Sequence, residues 1–336
     1  MKYLLPKRER YFRTNLHTHT CITDATPTPE EMKEFYKKRG YQILAITDHN
    51  VMLDMTHLSE EGFLMLNGAE FNVNEADFQR GNSKSAHLNF IAKEPHILWQ
   101  PFRYHKAWNA EEYLAKADIG NMSQEHSVEN INAIIQAAND HGYLVMYNHP
   151  HWSLHNYEDY AGLKGLWAME LCNHGSASYG DVDNGTIYRD LLNQGNRLFP
   201  VGADDSHSER GVGGAWIMLG AETLTYPSAI EALEKGDFYA STGAEIYELY
   251  VKDQMLHIRC SDALSVTIES GLRFAARLSP AAPDKLVNQG QIDLKKWFNF
   301  CATGDGRNRN RTWFRVIVHG PYGDYAATRA FHYDEF

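Results

Sequence analysis

The sequence lacks the features that mark secreted and membrane proteins. Its four cysteines have no C-x-x-C spacing, which predicts free thiols in a reducing compartment rather than a disulfide framework. No apolar run reaches the roughly 18 residues of a membrane span, and the charged N-terminus is unlike a signal peptide. We therefore expect a cytoplasmic protein that does not bind membranes.

Positive charge is also scarce. The 336 residues include 32 lysines and arginines against 43 acidic residues, which gives a formal net charge of −11. An acidic surface disfavours binding to an extended nucleic-acid duplex, but metal ions in a pocket can still hold a small phosphorylated molecule. What the sequence has in unusual number is histidine, with 17 copies, and many of these lie beside Asp, Asn or Pro.

Apolar segments typical of strands alternate with helix signals between residues 11 and 240. After a first strand over residues 11–20, Thr28 and Glu31 predict a capping box around Pro29, and an apolar strand follows. This strand–helix–strand unit predicts a sheet that begins parallel. The strands predicted after the first cover residues 41–50, 63–70, 86–92, 143–149, 165–172 and 197–207, and further helices are expected from Ser127, over 185–193 and over about 227–236.

The pattern changes near residue 242 to short alternating runs separated by turn residues. This change predicts a small, sandwich-like all-β domain of unknown role over residues 243–336, after a first domain over residues 1–242. Within the first domain, an aromatic-rich insertion is expected at about residues 93–127. The sequence leaves the oligomeric state open.

Residues that commonly bind metals recur at the ends of the predicted strands. His17 and His19 are two residues apart, so a strand places both imidazoles on one face, where they can reach one ion. Ligand-type side chains come from at least six strands, which favours a parallel barrel with its site at the C-terminal mouth over an open doubly wound sheet. The candidate ligands are His17, His19, Asp24, His49, Glu70, His87, His149, Asp205 and His207.

This residue set suits the hydrolysis of a phosphate ester. Such a reaction needs positive charge at the phosphate oxygens and an ionised water at neutral pH, and two metal ions about 3.5–4 Å apart supply both. A carboxylate such as that of Glu70 can bridge two ions and set their spacing.

Three segments in combination resemble the PHP (polymerase and histidinol phosphatase) superfamily: Thr14–Thr20, Leu44–Asn50 and Gly202–His207. The resemblance covers residues 13–210. It implies a distorted (β/α)7 TIM-like barrel and a centre of two or three divalent metal ions (Zn, Mn or Fe) that hydrolyses phosphate esters.

The resemblance also implies an assignment of the ligands to three ions. His17, His19, Glu70 and Asp205 would hold the first; Glu70 would bridge to a second held by His87 and His149; and Asp24, His49 and His207 would hold a third. Many family members have histidine where this chain has Asp24, and a carboxylate there would either weaken the third site or favour Mn or Fe over Zn. His96 and His105 are nearby alternatives to His87.

Several other residues are candidates for direct roles in catalysis or substrate binding. His151 is a candidate general acid or substrate contact, His174 faces the same predicted rim together with Asn173, and Arg210 is a candidate phosphate clamp. Each of the three is alternatively an ordinary surface residue. Asp48 and Glu170 are expected to orient neighbouring side chains, and Trp99, Phe102 and Trp108 either stack on a nucleobase or pack over the barrel mouth.

Three functions are compatible with these features. The first is a phosphoesterase for a nucleotide, an oligonucleotide end or a sugar or polyol phosphate. The second is a metallohydrolase of carboxyl or carbamate esters on the same scaffold, and the third is a non-catalytic metal-binding protein whose β domain binds a partner or glycan. A phosphate substrate requires cations facing the metals, and the predicted loops offer only Arg80, Lys84, Arg103 and Arg210.

Overall fold

The computed structural model describes residues 1–7, 11–103, 109–180, 185–303 and 309–336. His105 and Trp108 of the predicted insertion lie outside these ranges. The strands are β1 (Lys2–Tyr3), β2 (Phe12–Asn15), β3 (Ile43–Ile46), β4 (Leu64–Asn74), β5 (Ser85–Ala92), β6 (Trp99–Gln100), β7 (Asp118–Ile119), β8 (Tyr143–Tyr147), β9 (Ala168–Asn173), β10 (Phe199–Ala203), β11 (Trp216–Leu219), β12 (Phe238–Ser241), β13 (Ile246–Lys252), β14 (Met255–Ala263), β15 (Ser265–Ser270), β16 (Ala276–Leu278), β17 (Val287–Asp293), β18 (Trp313–His319), β19 (Tyr325–Thr328) and β20 (Phe331–His332). The helices are α1 (Pro29–Lys38), α2 (Glu111–Leu114), α3 (Val128–Asp140), α4 (Tyr157–Tyr160), α5 (His174–Ala177), α6 (Gly185–Asn193), α7 (Tyr226–Lys235) and α8 (Lys295–Thr303).

The first part of the chain is a mixed α/β structure, as predicted. Strands β2, β3 and β4 are parallel neighbours, and so are β8, β9 and β10. The expectation of parallel strands throughout is wrong at β5, which is antiparallel to both β4 and β8. Only residues 75–84 connect β4 to β5, and a parallel crossover needs roughly a dozen residues or more.

The hydrogen-bonded strands form an open path rather than a closed barrel within the described residues. The path runs β10-β9-β8-β5-β4-β3-β2-β11-β12-β19-β18-β15-β16, with β20 paired to β18, so the closed (β/α)7 barrel is not confirmed. The segments after β2 and β10 nevertheless meet. The Asp205 N–H donates to the His17 carbonyl and the His19 N–H donates to the Ser206 carbonyl, both at 2.9 Å.

The helices begin where the sequence provides caps. The predicted capping box of α1 is confirmed, because the Glu31 N–H donates to Thr28 Oγ1 and the Thr28 N–H donates to the Glu31 carboxylate. The Ser127 side chain caps α3 by accepting a hydrogen bond from the Asn130 N–H. The buried face of α3 repeats every three or four residues: Ile131, Ile134, Ile135 and Ala138.

The C-terminal part is an antiparallel β region, as expected, although α8 interrupts it. Its strands lie in two sheets whose facing residues share one hydrophobic core. One sheet has the order β1-β13-β14-β17, so the N-terminal strand also contributes to it. The other is continuous with the sheet of the first part, because β12 pairs with β19.

The described residues of the 93–127 insertion contribute to the core. Trp99 is 8% exposed and Phe102 is 3% exposed, and both pack in the cluster that includes Phe71, Phe90 and Tyr143. These two aromatics are therefore packed in the core rather than free to stack on a ligand. Among the helices of the described ranges, none combines the length and the apolar character of a membrane span.

Candidate metal centre

The fold brings all nine predicted ligands to one place. His17 and His19 follow β2, His49 follows β3, His149 follows β8, and Asp205 and His207 follow β10. Glu70 lies within β4. The antiparallel direction of β5 explains why His87 sits near the start of its strand, since His87 pairs in register with Asn72 near the end of β4.

Glu70 is the centre of the arrangement. Its side chain is buried, and Oε1 lies 3.3 Å from His17 Nε2, 3.0 Å from His87 Nδ1 and 3.2 Å from His149 Nε2. Oε2 lies 2.9 Å from His49 Nδ1 and 3.6 Å from His19 Nε2. Five imidazoles therefore surround one carboxylate.

His17, His19 and Asp205 form a tight group beside Glu70. The two Nε2 atoms are 3.2 Å apart, and Asp205 Oδ1 lies 3.3 Å from that of His17 and 3.0 Å from that of His19. An ion bound at about 2.0–2.1 Å by tetrahedral ligands would place their atoms about 3.3 Å from one another. This spacing fits a metal site.

A more exposed group lies on the outer side of His19. Asp24 faces His49 and His207, each with a ring nitrogen 3.5 Å from a carboxylate oxygen. His19 Nδ1 is buried without a hydrogen-bond partner, and Asp24 Oδ1 is 3.9 Å from it. An unpaired buried imidazole nitrogen is costly unless something binds it, which again fits a cation.

The ligand-type atoms fall into overlapping groups whose members lie within 4.8 Å of one another. Three of these groups contain His17 or Glu70, so neighbouring sites would share residues. The groups are His19, Asp24, His49 and His207; His17, Glu70 and His149; His17, His19 and Asp205; and His49, Glu70 and His87.

The side chains of the centre have pKa values that are shifted in opposite directions. Burial opposes protonation of His17, but the carboxylates of Asp205, Glu170 and Glu70 raise its pKa well above the usual value. Burial, reinforced by repulsion from His207 and His49, lowers the pKa of His19 to about 3. Burial would raise the pKa of Glu70, yet the imidazoles of His87, His17 and His49 hold it well below its usual range. Burial thus favours the neutral form of His19, whereas the carboxylates favour the protonated form of His17, and a bound cation would take the place of that proton.

Glu170 has a larger role than its sequence context indicated. Oε1 lies 2.6 Å from His17 Nδ1, and Oε2 accepts hydrogen bonds from the His149 N–H at 3.0 Å and from Asn173 Nδ2 at 2.9 Å. A carboxylate on one ring nitrogen fixes the tautomer and directs the other nitrogen to a metal. The only sequence signal was an acidic residue inside an apolar strand.

Two further positioning residues support the centre. Asn148 Nδ2, which the sequence analysis missed, donates to Glu70 Oε1 at 2.8 Å and to Asn89 Oδ1 at 2.9 Å. Asp48 accepts from the Thr20 N–H at 2.9 Å and from the Thr20 and Thr23 hydroxyls, which fixes the segment between His19 and Asp24.

Backbone strain also occurs at the centre. His149 has φ 24° and Asp205 has φ 50°, in the left-handed region that non-glycine residues rarely adopt. Such strain persists where the surrounding structure imposes it, often at functional sites.

The three predicted catalytic residues lie close in sequence to the ligands but have different surroundings. His151 and Arg210 are exposed. The His174 ring packs against Gly214 so closely that a Cβ there would lie 2.1 Å from His174 Cγ. His96, the alternative to His87, is 80% exposed and lies beside Glu94, outside the cluster.

Two of the four candidate phosphate-binding cations are already paired. Lys84 Nζ lies 2.8 Å from Asp159, and Arg103 lies 3.0 Å from Glu111. Arg80 and Arg210 are exposed.

A family model described as PHP domain matches residues 14–200. Among solved structures, the chain is similar to a two-domain protein from Bacteroides vulgatus that contains a predicted PHP-like metal-dependent phosphoesterase (14% identity, 98% of each chain, TM-score 0.47). It is also similar to an amidohydrolase from Chromobacterium violaceum (16% identity, 58% of this chain and 87% of that chain, TM-score 0.37). A third is the lesion-specific endonuclease PfuEndoQ from Pyrococcus furiosus (13% identity, 67% of this chain and 56% of that chain, TM-score 0.42). A comparison with curated proteins found no match.

Proposed function

Because this chain belongs to the PHP domain family, whose model matches residues 14–200, we propose that it is a metal-dependent hydrolase of a small phosphorylated substrate. The observation that carries the proposal is the convergence of five imidazoles on the buried carboxylate of Glu70. Nothing in a stable core requires this arrangement, whereas a polynuclear centre does.

We propose the following holders for two or three divalent ions. His17, His19 and Asp205 would hold one ion with Glu70, and Glu70 would also serve a second ion with His87 and His149. Asp24, His49 and His207 would hold a third, for which His19 Nδ1 is an additional candidate donor. The mixed nitrogen and oxygen donors suit Zn, Mn or Fe.

When bound, such ions supply positive charge at the phosphate oxygens and ionise water near neutral pH. The chain's own groups prepare the site for this chemistry. With an ion bound, Glu170 would accept the hydrogen bond of His17 Nδ1 and leave Nε2 to the ion, and Asn148 donates to Glu70 Oε1 and so orients it. His151, His174 and Arg210 remain proposals for proton transfer and substrate contact at the rim.

We propose two domains with the boundary near residue 242, and a role for the hydrolase in the cytoplasm. All four cysteines are free, which suits a reducing compartment.

Hydrolysis of carboxyl or carbamate esters is the second candidate. It is favoured by the ion pairs of Lys84 and Arg103, because these cations are already neutralised by Asp159 and Glu111. A carboxyl ester does not require basic residues facing the ions.

A substrate panel distinguishes the two candidates. Protein purified without chelator would be assayed for phosphate release from nucleoside monophosphates and sugar phosphates, and beside them for cleavage of an aryl carboxyl ester. We expect phosphate release that a chelator abolishes and Mn²⁺, Zn²⁺ or Fe²⁺ restores. His149→Ala should lose this activity, whereas His57→Ala, a change at an exposed histidine outside the cluster, should keep it. Turnover of the carboxyl ester alone would favour the second candidate, and no metal-dependent turnover would contradict both.

A further inference from the structure

The segments after β8 and β9 carry two exposed aromatic side chains that the proposed hydrolysis does not use. Trp152 is 52% exposed and Tyr179 is 80% exposed. Their rings stack on each other, with centroids 5.8 Å apart and planes 28° apart. Exposed aromatic surface of this kind contributes little to folding and often marks a binding site. We call Trp152 and Tyr179 the rim aromatic pair.

Trp152 is tied to the proposed metal centre through a compact turn. The Ser153 N–H donates to the His149 carbonyl at 3.1 Å, and Ser153 Oγ lies 3.2 Å from His149 Nδ1. Ser153, which follows Trp152 directly, is therefore fixed relative to a proposed ligand.

Tyr179 is tied to the same centre from the neighbouring strand. Its N–H donates to the Ser176 carbonyl at 3.0 Å, and the Ser176 N–H donates to Asn173 Oδ1 at 2.8 Å. Asn173 Nδ2 in turn lies 3.2 Å from Asp205 Oδ2. Because β8 and β9 are parallel neighbours, both aromatic side chains follow strand ends on the side that carries the centre.

We propose that the rim aromatic pair stacks on the nucleobase of a nucleoside monophosphate whose phosphate lies at the metal centre. This inference rests on the proposed function and names its substrate class. Every base offers a flat π face to an exposed aromatic ring. Trp99 and Phe102, the described aromatics for which the sequence suggested stacking, are buried and cannot serve.

The charge distribution favours a mononucleotide over a long nucleic acid. The chain carries a net charge of −11, and binding along a phosphate backbone depends on many lysines and arginines. With Lys84 and Arg103 already paired, stacking supplies affinity that does not depend on charge.

Two ligands that differ only by the base test the inference: adenosine 5′-monophosphate and ribose 5-phosphate. Their dissociation constants would be measured by calorimetry on Mn²⁺-loaded protein, with the hydrolysis-resistant phosphonate analogue of each ligand. Base stacking on one aromatic side chain corresponds to a preference of about tenfold, so the wild type should bind the nucleotide at least that much more tightly. The double variant Trp152→Ala/Tyr179→Ala should lose the preference, and Trp152→Phe should keep most of it. Tyr322→Ala, a change at an aromatic that is 94% exposed elsewhere, should leave it unchanged.

Phosphate release from both ligands is measured in parallel. The stacking inference and the proposed hydrolysis can therefore fail independently of each other. Equal affinities in the wild type, or a preference that survives in the double variant, would overturn the stacking inference even if both ligands are hydrolysed. A preference that depends on the rim aromatic pair without any hydrolysis would support the stacking site and contradict the proposed function.

Discussion

The segment after β10 carries two adjacent carboxylates, buried Asp204 and the 15% exposed Asp205, which have different kinds of partner. Asp204 accepts hydrogen bonds from Asn15 Nδ2 at 2.9 Å and from the backbone N–H groups of residues 213–215 at 2.8–3.0 Å. Every one of these donors is neutral and held by the fold. We call this region the Asp204 pocket, and it is satisfied by protein atoms alone.

The ligand cluster around Glu70 and Asp205 is different. Its carboxylates face mainly imidazole nitrogens, and some of these nitrogens also face one another, as His17 and His19 do at 3.2 Å. A neutral imidazole has one donor nitrogen and one acceptor nitrogen. The imidazoles of the cluster therefore cannot donate a hydrogen bond to every carboxylate and also accept one from every neighbouring imidazole. The comparison teaches that burial alone does not mark a functional carboxylate. What marks it is a set of partners that only an added cation would satisfy.

Removal of a proposed metal ligand should have the largest effect on activity. His17→Ala should abolish metal-dependent phosphate release while leaving the far-ultraviolet circular dichroism spectrum near that of the wild type, because loops at the sheet edge carry the site. Metal content measured by mass spectrometry should fall with activity. Full activity in this variant would show that the cluster is not the reaction centre.

Truncation after residue 242 should destabilise the fold that holds both the Asp204 pocket and the ligand cluster. It removes β19 from its pairing with β12, and it takes Trp313, Ala327 and Ala330 out of the core that they share with Ile187 and Tyr188. We expect a large fall in the midpoint of thermal unfolding, or aggregation, because apolar surface becomes exposed. A truncated protein that is stable and binds metals normally would show that the first part folds alone.

A change at a residue that orients a proposed metal ligand should have a smaller effect. Glu170→Gln keeps an acceptor for His17 Nδ1 but removes the negative charge, and changes of this type typically lower metal affinity or activity by about 10–100-fold. Titration of the chelated protein with Mn²⁺, together with kcat and KM, would measure the effect. Glu158→Gln, at an exposed position of α4, is the matched control. Equal behaviour of the two variants would contradict the positioning role.

Much of this arrangement could be predicted from local patterns. The polar residues that end apolar strands identified His17, His49, Glu70 and Asp205 as neighbours, because strand ends of one direction meet at one edge. The Thr28–Glu31 capping box is a contact between residues close in sequence, and it was predicted correctly.

Features that depend on tertiary pairing were not predicted. The antiparallel direction of β5 follows from its short connection to β4, whereas the apolar pattern alone indicated another strand of a parallel series. An orienting role was expected for Glu170, but its partners, like the role of Asn148, depend on other strands, and no local pattern encodes those partners. The short strands β11 and β12 have little periodicity of their own and are defined by their neighbours in the sheet.

The most direct test of the account compares Asp205→Asn with Asp204→Asn, two isosteric changes at adjacent residues. Metal content per chain and the midpoint of thermal unfolding would be measured for both variants and for the wild type. We expect at least two ions per wild-type chain, and fewer ions in Asp205→Asn with little loss of stability in chelator. Asp204→Asn should keep its ions but unfold more readily, by about 1–3 kcal/mol, because its new amide would face donors that the carboxylate satisfied. Loss of metal in Asp204→Asn, with native metal content in Asp205→Asn, would contradict the account.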